Sequence, residues 1–137
     1  VPDGRRWLGI PPEAFVVGLV ARMQTHRRYE DFFEAVRRLV AGGVRAHAVV
    51  VGRGIKQEQV ARTPVRALGL EHCVHFPGYL SGDDYVGMLK AFDAQVYLVP
   101  GTDGTCRAVR EAMALARPVV VARNTELAVW KLPTARL

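Results

Sequence analysis

The chain has 137 residues, half of them hydrophobic and 23% charged, with a net charge of +6 that comes mostly from arginine. That length fits one domain, and apolar segments spread along the whole chain exclude a disordered polymer. The basic residues are scattered, with no block of like charge and no interleaved aromatics, which argues against nucleic acid. A phosphorylated small molecule, an anionic membrane surface and plain compositional bias remain as sources of the excess.

Val1–Glu13 holds three prolines and two glycines and reads as a linker leading into the domain. Ala14–Ala21 is apolar and β-branched, so it is expected as a buried strand. Tyr29–Ala41 places Phe32, Phe33, Val36, Leu39 and Val40 on one helical face, and Gly42-Gly43 stops it. Ala46–Val51 is a second strand, ended by Gly52-Arg53-Gly54. Lys56–Leu68 is a helix candidate in which Pro64 imposes a kink or a later start. Val74–Phe76 is a short third strand. Ser81 is placed to cap a helix through Asp83–Phe92, with Asp83 and Asp84 in its first turn. Ala94–Val99 is a fourth strand, Thr105–Ala116 a helix and Pro118–Ala122 a fifth strand. Residues 14–123 therefore form the domain, and 124–137 read as an unassigned or truncated C-terminal tail.

Strands that are apolar on both faces and alternate with helices imply an α/β, Rossmann-like, doubly wound parallel sheet. Such sheets bind ligands beyond the carboxyl ends of their strands. The loops that matter are then Arg22–Arg28, Gly52–Ile55, Pro77–Ser81, Pro100–Thr105 and Arg123–Glu126. The first strand leads into Arg22, His26, Arg27 and Arg28, a group suited to a phosphate because each guanidinium donates two parallel hydrogen bonds. The fourth strand leads into Gly101–Thr105 and a helix start, where free backbone N–H groups favour an anion. Asp103 and Glu111 are spaced to face one ligand there. The competing reading makes Asp103 a helix cap and Glu111 a solvated side chain.

Other residues carry less. No glycine-rich turn follows the first strand, so the dinucleotide fingerprint is lacking and a dehydrogenase is disfavoured. His47 and His75 sit in strands and read as satisfied core or edge histidines. Cys73 and Cys106 lie far apart with no metal-ligand spacing, and Cys106 reads as a packed thiol rather than a nucleophile. Reduced thiols point to the cytoplasm. No apolar run reaches the about 18 residues that a membrane span needs. The chain starts at Val1 and is expected to be a fragment or processed form.

Four segments in order carry a family resemblance. They are Gly18-Leu-Val-Ala-Arg22 with Arg27, Val49-Val-Val-Gly-Arg-Gly54, Leu70–Gly78 (LEHCVHFPG) and Glu111–Val119 (EAMALARPV). Together they resemble the C-terminal, donor-binding domain of glycosyltransferase family 4, which has the GT-B fold. The resemblance implies a retaining, hexosyltransferase-type enzyme that uses a UDP- or GDP-sugar and needs neither metal nor cofactor. Arg22 and Arg27 would clamp the diphosphate and stabilise the departing nucleotide, and Asp103 would hold the sugar. Glu111 would bind the ribose, and Gly104, Thr105 and Cys106 would offer backbone donors. Gly18, Gly52, Gly78, Tyr79 and Leu80 complete the donor site, the last three beside the base.

Asp103 stands where the family more often has glutamate, Arg27 replaces a lysine, and Ala116-Arg117-Pro118 lacks a glycine. The resemblance also implies an acceptor-binding N-terminal domain that these residues do not include. The fragment is therefore expected to be inactive alone and to self-associate through the exposed interface. The full-length protein is expected in the cytoplasm, peripheral to the inner face of the membrane. The alternative is a stand-alone nucleotide or phosphosugar binding module without catalysis.

Overall fold

The computed structural model describes residues 3–20, 29–52, 61–97, 114–115, 118–121 and 134–136. Six parallel strands form one sheet: β1 (Phe15–Val20), β2 (Ala46–Val51), β3 (Val74–Gly78), β4 (Ala94–Tyr97), β5 (Val119–Val121) and β6 (Thr134–Arg136). Their order across the sheet is β3-β2-β1-β4-β5-β6. The chain winds outward from β1 to β3, then returns to the other side of β1. The reversal lies between β1 and β4, which pair through Val17–Ala94 and Gly18–Gln95.

β1 and β2 lie inside the sheet, apolar at almost every position and buried on both faces. On one face, Val17, Leu19, Ala48 and Val50 pack against Phe32, Phe33 and Val36 of α2 (Tyr29–Ala41) and Val65 of α3 (Thr63–Ala67). On the other face, Val16, Val49 and Val51 pack against Met88 and Leu89 of α4 (Gly82–Lys90), with Ile10 and Phe92. Helical layers on both faces of a parallel sheet make this the expected α/β, doubly wound, Rossmann-like architecture.

Glycine 18 has a specific packing role. A Cβ at Gly18 would lie 2.1 Å from the Phe92 ring, so only a residue without a side chain lets that ring seat under β1. Pro64 falls in the first turn of α3, where its missing N–H has no intrahelical partner to lose. Residues 56–60 of the expected helix lie outside the described residues.

Several expectations need revision. β3 continues through Pro77 and Gly78, two residues past its expected end; it is an edge strand, where proline is tolerated. Ser81 occupies the cap position of α4, but its side chain makes no capping hydrogen bond. Asp83 and Asp84 supply the favourable charge at that end. The stretch read as an unassigned tail contributes β6, paired with β5 through Val119–Thr134 and Val121–Arg136. Of the helix expected over Thr105–Ala116, only 114–115 are described.

The segment read as a linker is folded against the domain. It carries α1 (Gly4–Leu8), capped by the Asp3 carboxylate, which accepts from the amides of Arg5 and Arg6. Gly4 abuts α4, where a Cβ would stand 2.9 Å from the Gly87 carbonyl oxygen. Arg5 donates to the carbonyls of Ala91, Pro12 and Ala14 and to the Asp93 carboxylate at 2.8 Å. The same carboxylate oxygen accepts from the Val16 amide at 2.8 Å. Flexible composition is overridden here by one guanidinium whose donors all reach the domain.

Candidate nucleotide-binding rim

All six strands run in one direction, so their carboxyl ends define a single rim of the sheet. The strand order reverses between β1 and β4, and in open parallel sheets ligands bind outside the carboxyl ends of the strands at such a reversal. Sequence reading assigned the ligand to this rim.

Five of the expected site residues are described. Gly52 and Gly78 meet at the carboxyl ends of β2 and β3, where the Gly52 amide donates to the Gly78 carbonyl at 2.9 Å. Gly78 has φ +87°, and no atom lies within 4 Å of the position a Cβ would take. Backbone conformation therefore demands glycine there, and the open space leaves the main chain accessible to a ligand. Tyr79 follows and is 67% exposed. Leu80 packs inward against the α4 layer and anchors the turn from below. Gly18 is buried in the middle of β1, and its near neighbour is Phe92.

The remaining site expectations lie outside the described residues. They are Arg22 and Arg27 after β1, and Asp103, Gly104, Thr105, Cys106 and Glu111 after β4. In sequence, the two groups follow the two strands that flank the reversal.

Arg62 stacks its guanidinium 4.8 Å over the Phe76 ring on the flank of β3. Sequence reading missed this contact; a helix start facing a neighbouring strand's aromatic is visible only once the layers are assembled. Cys73 is buried, and burial pushes its thiol above the ordinary value, which suits a packed group rather than a nucleophile. Among the described residues, no group of three His, Cys, Asp or Glu lies close enough to hold a metal ion. No described helix is long and apolar enough to cross a membrane.

Comparison with known proteins agrees with this architecture. The family described as glycosyl transferases group 1 matches residues 2–128. The 2-deoxystreptamine N-acetyl-D-glucosaminyltransferase of Streptomyces fradiae is 36% identical over 93 residues, covering 66% of this chain and 22% of that protein. HepE of Anabaena, solved with UDP and glucose, superposes with a TM-score of 0.79 at 23% identity, over 97% of this chain and 36% of HepE. The C-terminal domain of the group 1 glycosyl transferase LpcC from Francisella tularensis superposes with a TM-score of 0.74 at 19% identity, over 99% of this chain and 74% of that domain. The fold is that of the C-terminal half of a GT-B protein. The chain spans about a fifth of the length of the curated relative it matches.

Proposed function

The chain belongs to the glycosyl transferases group 1 family, and from that premise we propose that it is the donor-binding domain of a retaining, family 4 hexosyltransferase that uses a nucleotide-diphosphate sugar. The observation that carries this reading is the strand order, which reverses between β1 and β4. The arginine-rich segment follows β1 in sequence and the Gly101–Thr105 segment follows β4, the two strands on either side of the reversal, which supports assigning phosphate binding to the first and sugar binding to the second. The nucleotide is UDP or GDP, and HepE, which shares the fold, was solved with UDP.

In this reading Arg22 and Arg27 neutralise the diphosphate and the charge that grows on it as the glycosidic bond breaks. That charge stabilisation takes the place of a metal ion. Asp103 accepts from sugar hydroxyls, and Glu111 accepts from the ribose. Gly104, Thr105 and Cys106 donate backbone N–H groups. Gly52, Gly78, Tyr79 and Leu80 line the nucleoside, and Gly18 serves by admitting Phe92. The acceptor is bound by a further domain, so these 137 residues alone bind donor without transferring sugar. Exposed Trp7 and Phe15, 52% and 40% accessible, support self-association of the isolated residues. The whole protein works in the cytoplasm at the inner face of the membrane.

The test is titration with UDP, GDP and ADP while following the amides of Arg22, Gly104 and Glu111. UDP or GDP is expected to move all three, and Arg22→Ala to weaken binding about ten- to hundredfold. Silence of all three amides toward every nucleotide sinks the reading.

A further inference from the structure

His47 and His75 form a cluster that the donor site does not use. They stand on neighbouring strands, β2 and β3, with His47 Nδ1 2.9 Å from His75 Nε2. Their rings stack with centroids 5.2 Å apart and an interplanar angle of 16°. Both are half-buried on the face that carries α1 and α4, since Val74 and Phe76 on either side of His75 pack into the opposite layer. β3 is the edge of the sheet, with β2 as its strand partner, and the register between them shifts between Val49 and Val51. The imidazole contact therefore adds a side-chain link between the edge strand and its partner beside that irregularity.

The link tolerates a limited number of protons. With both rings neutral, one N–H donates to the lone pair of the other. With one proton added, an imidazolium still donates to a neutral partner. A second proton leaves two N–H groups facing each other with no acceptor between them. Burial lowers the proton affinity of His47 first, followed by the charges of His72 and of Arg5 from α1. Burial, then His47, lowers that of His75. The strand residues paired with them, Val16 opposite His47 and Val49 opposite His75, are apolar, as are Met88, Leu89 and Phe92 in and beside α4. Among the described groups that act on the pair, none is acidic.

We propose that His47 and His75 are a proton-sensitive latch that fastens the edge strand β3 to β2 near neutral pH and releases it on acidification. Both groups are depressed in the folded state, so the unfolded chain takes up more protons as pH falls through the ordinary histidine range. The stability they contribute is complete above that range and is lost below it.

The experiment combines imidazole NMR titration of the unaltered chain with urea unfolding at about pH 7.5 and about pH 5.5, which bracket the ordinary histidine value. The two imidazoles are expected to titrate below free histidine and at separate midpoints. The urea midpoint is expected to fall at the lower pH, with β3 amides losing exchange protection before those of β1. The His47→Asn/His75→Gln variant keeps an amide donor facing an amide acceptor without a titrating proton. Its urea midpoint is expected to lose most of that pH dependence. Titration of both rings together at the ordinary value overturns the proposal, as does equal acid sensitivity of variant and parent. The NMR arm stands even where the variant does not fold.

Discussion

The two ends of β1 do different work. At its amino end, polar groups saturate one another. Arg5 reaches three carbonyls and a carboxylate, and that carboxylate also holds the Val16 amide. Such a cluster has little capacity left for a ligand, and its chemistry goes into closing the α1, β1 and α4–β4 segments on one another. At the carboxyl end, β1 leads into Arg22, His26, Arg27 and Arg28 with no acidic residue among them. The same residue type is thus structural at one end of a strand and a ligand candidate at the other. What separates the two roles is whether carboxylates and carbonyls are supplied by the fold.

Between these ends lies Gly18, and Gly18→Ala sharpens the contrast most. A methyl group 2.1 Å from the Phe92 ring forces ring or strand to move, and overpacking of this kind costs about 3 kcal/mol. Urea unfolding measures it. Phe92→Leu in the same chain should recover part of the loss, because a smaller side chain vacates the contested space; a purely additive double variant would show that the ring is not the cause. At the amino end, Arg5→Ala should cost about 2 kcal/mol, discounted for the partial exposure of the pair. It should leave nucleotide affinity unchanged; a tenfold loss of UDP binding would erase the distinction between the two ends. Asp93→Asn keeps an acceptor for the Val16 amide and loses only the charge, so about 1 kcal/mol is expected by the same measurement.

The sheet was readable because its strands are buried on both faces. Phe15–Val20 and Ala46–Val51 are short, mostly apolar runs, and each became a strand within a residue of its expected bounds. α2 was readable from its period, which puts Phe32, Phe33 and Val36 on one face. β6 was not, because Thr134–Arg136 is neither apolar nor alternating and takes strand form by pairing with β5. Arg5 was hidden among many scattered arginines, since its partners are distant in sequence and the prolines around it suggested a linker. Gly18 shows a further limit. A glycine within a strand has one appearance in sequence whether it makes room for a ligand or for a ring from the next layer. Gly52 follows directly from β2, whose end was legible, whereas Gly78 lies in β3 itself, which runs two residues past its expected end and is followed by Tyr79 and Leu80.

The smallest expected effect tests whether saturation, rather than mere charge, defines the amino end. Arg45 and Glu13 also form an ion pair at this end of β1, at 3.2 Å, but their side chains are 78% and 58% exposed. Water competes for both partners, and among the described residues neither side chain has a second hydrogen bond to share the entropy of holding it still. Arg45→Ala should therefore change stability by less than about 0.5 kcal/mol, and added salt should erase even that. Arg5→Ala should keep most of its cost in the same salt, because three of its four partners are carbonyls held by the fold. Equal losses for the two variants in urea unfolding at high salt would mean that bulk charge holds this end together. A large gap between them would assign the stability to the directed hydrogen bonds of Arg5, which is the property that the arginines after β1 must lack if they are to hold a ligand.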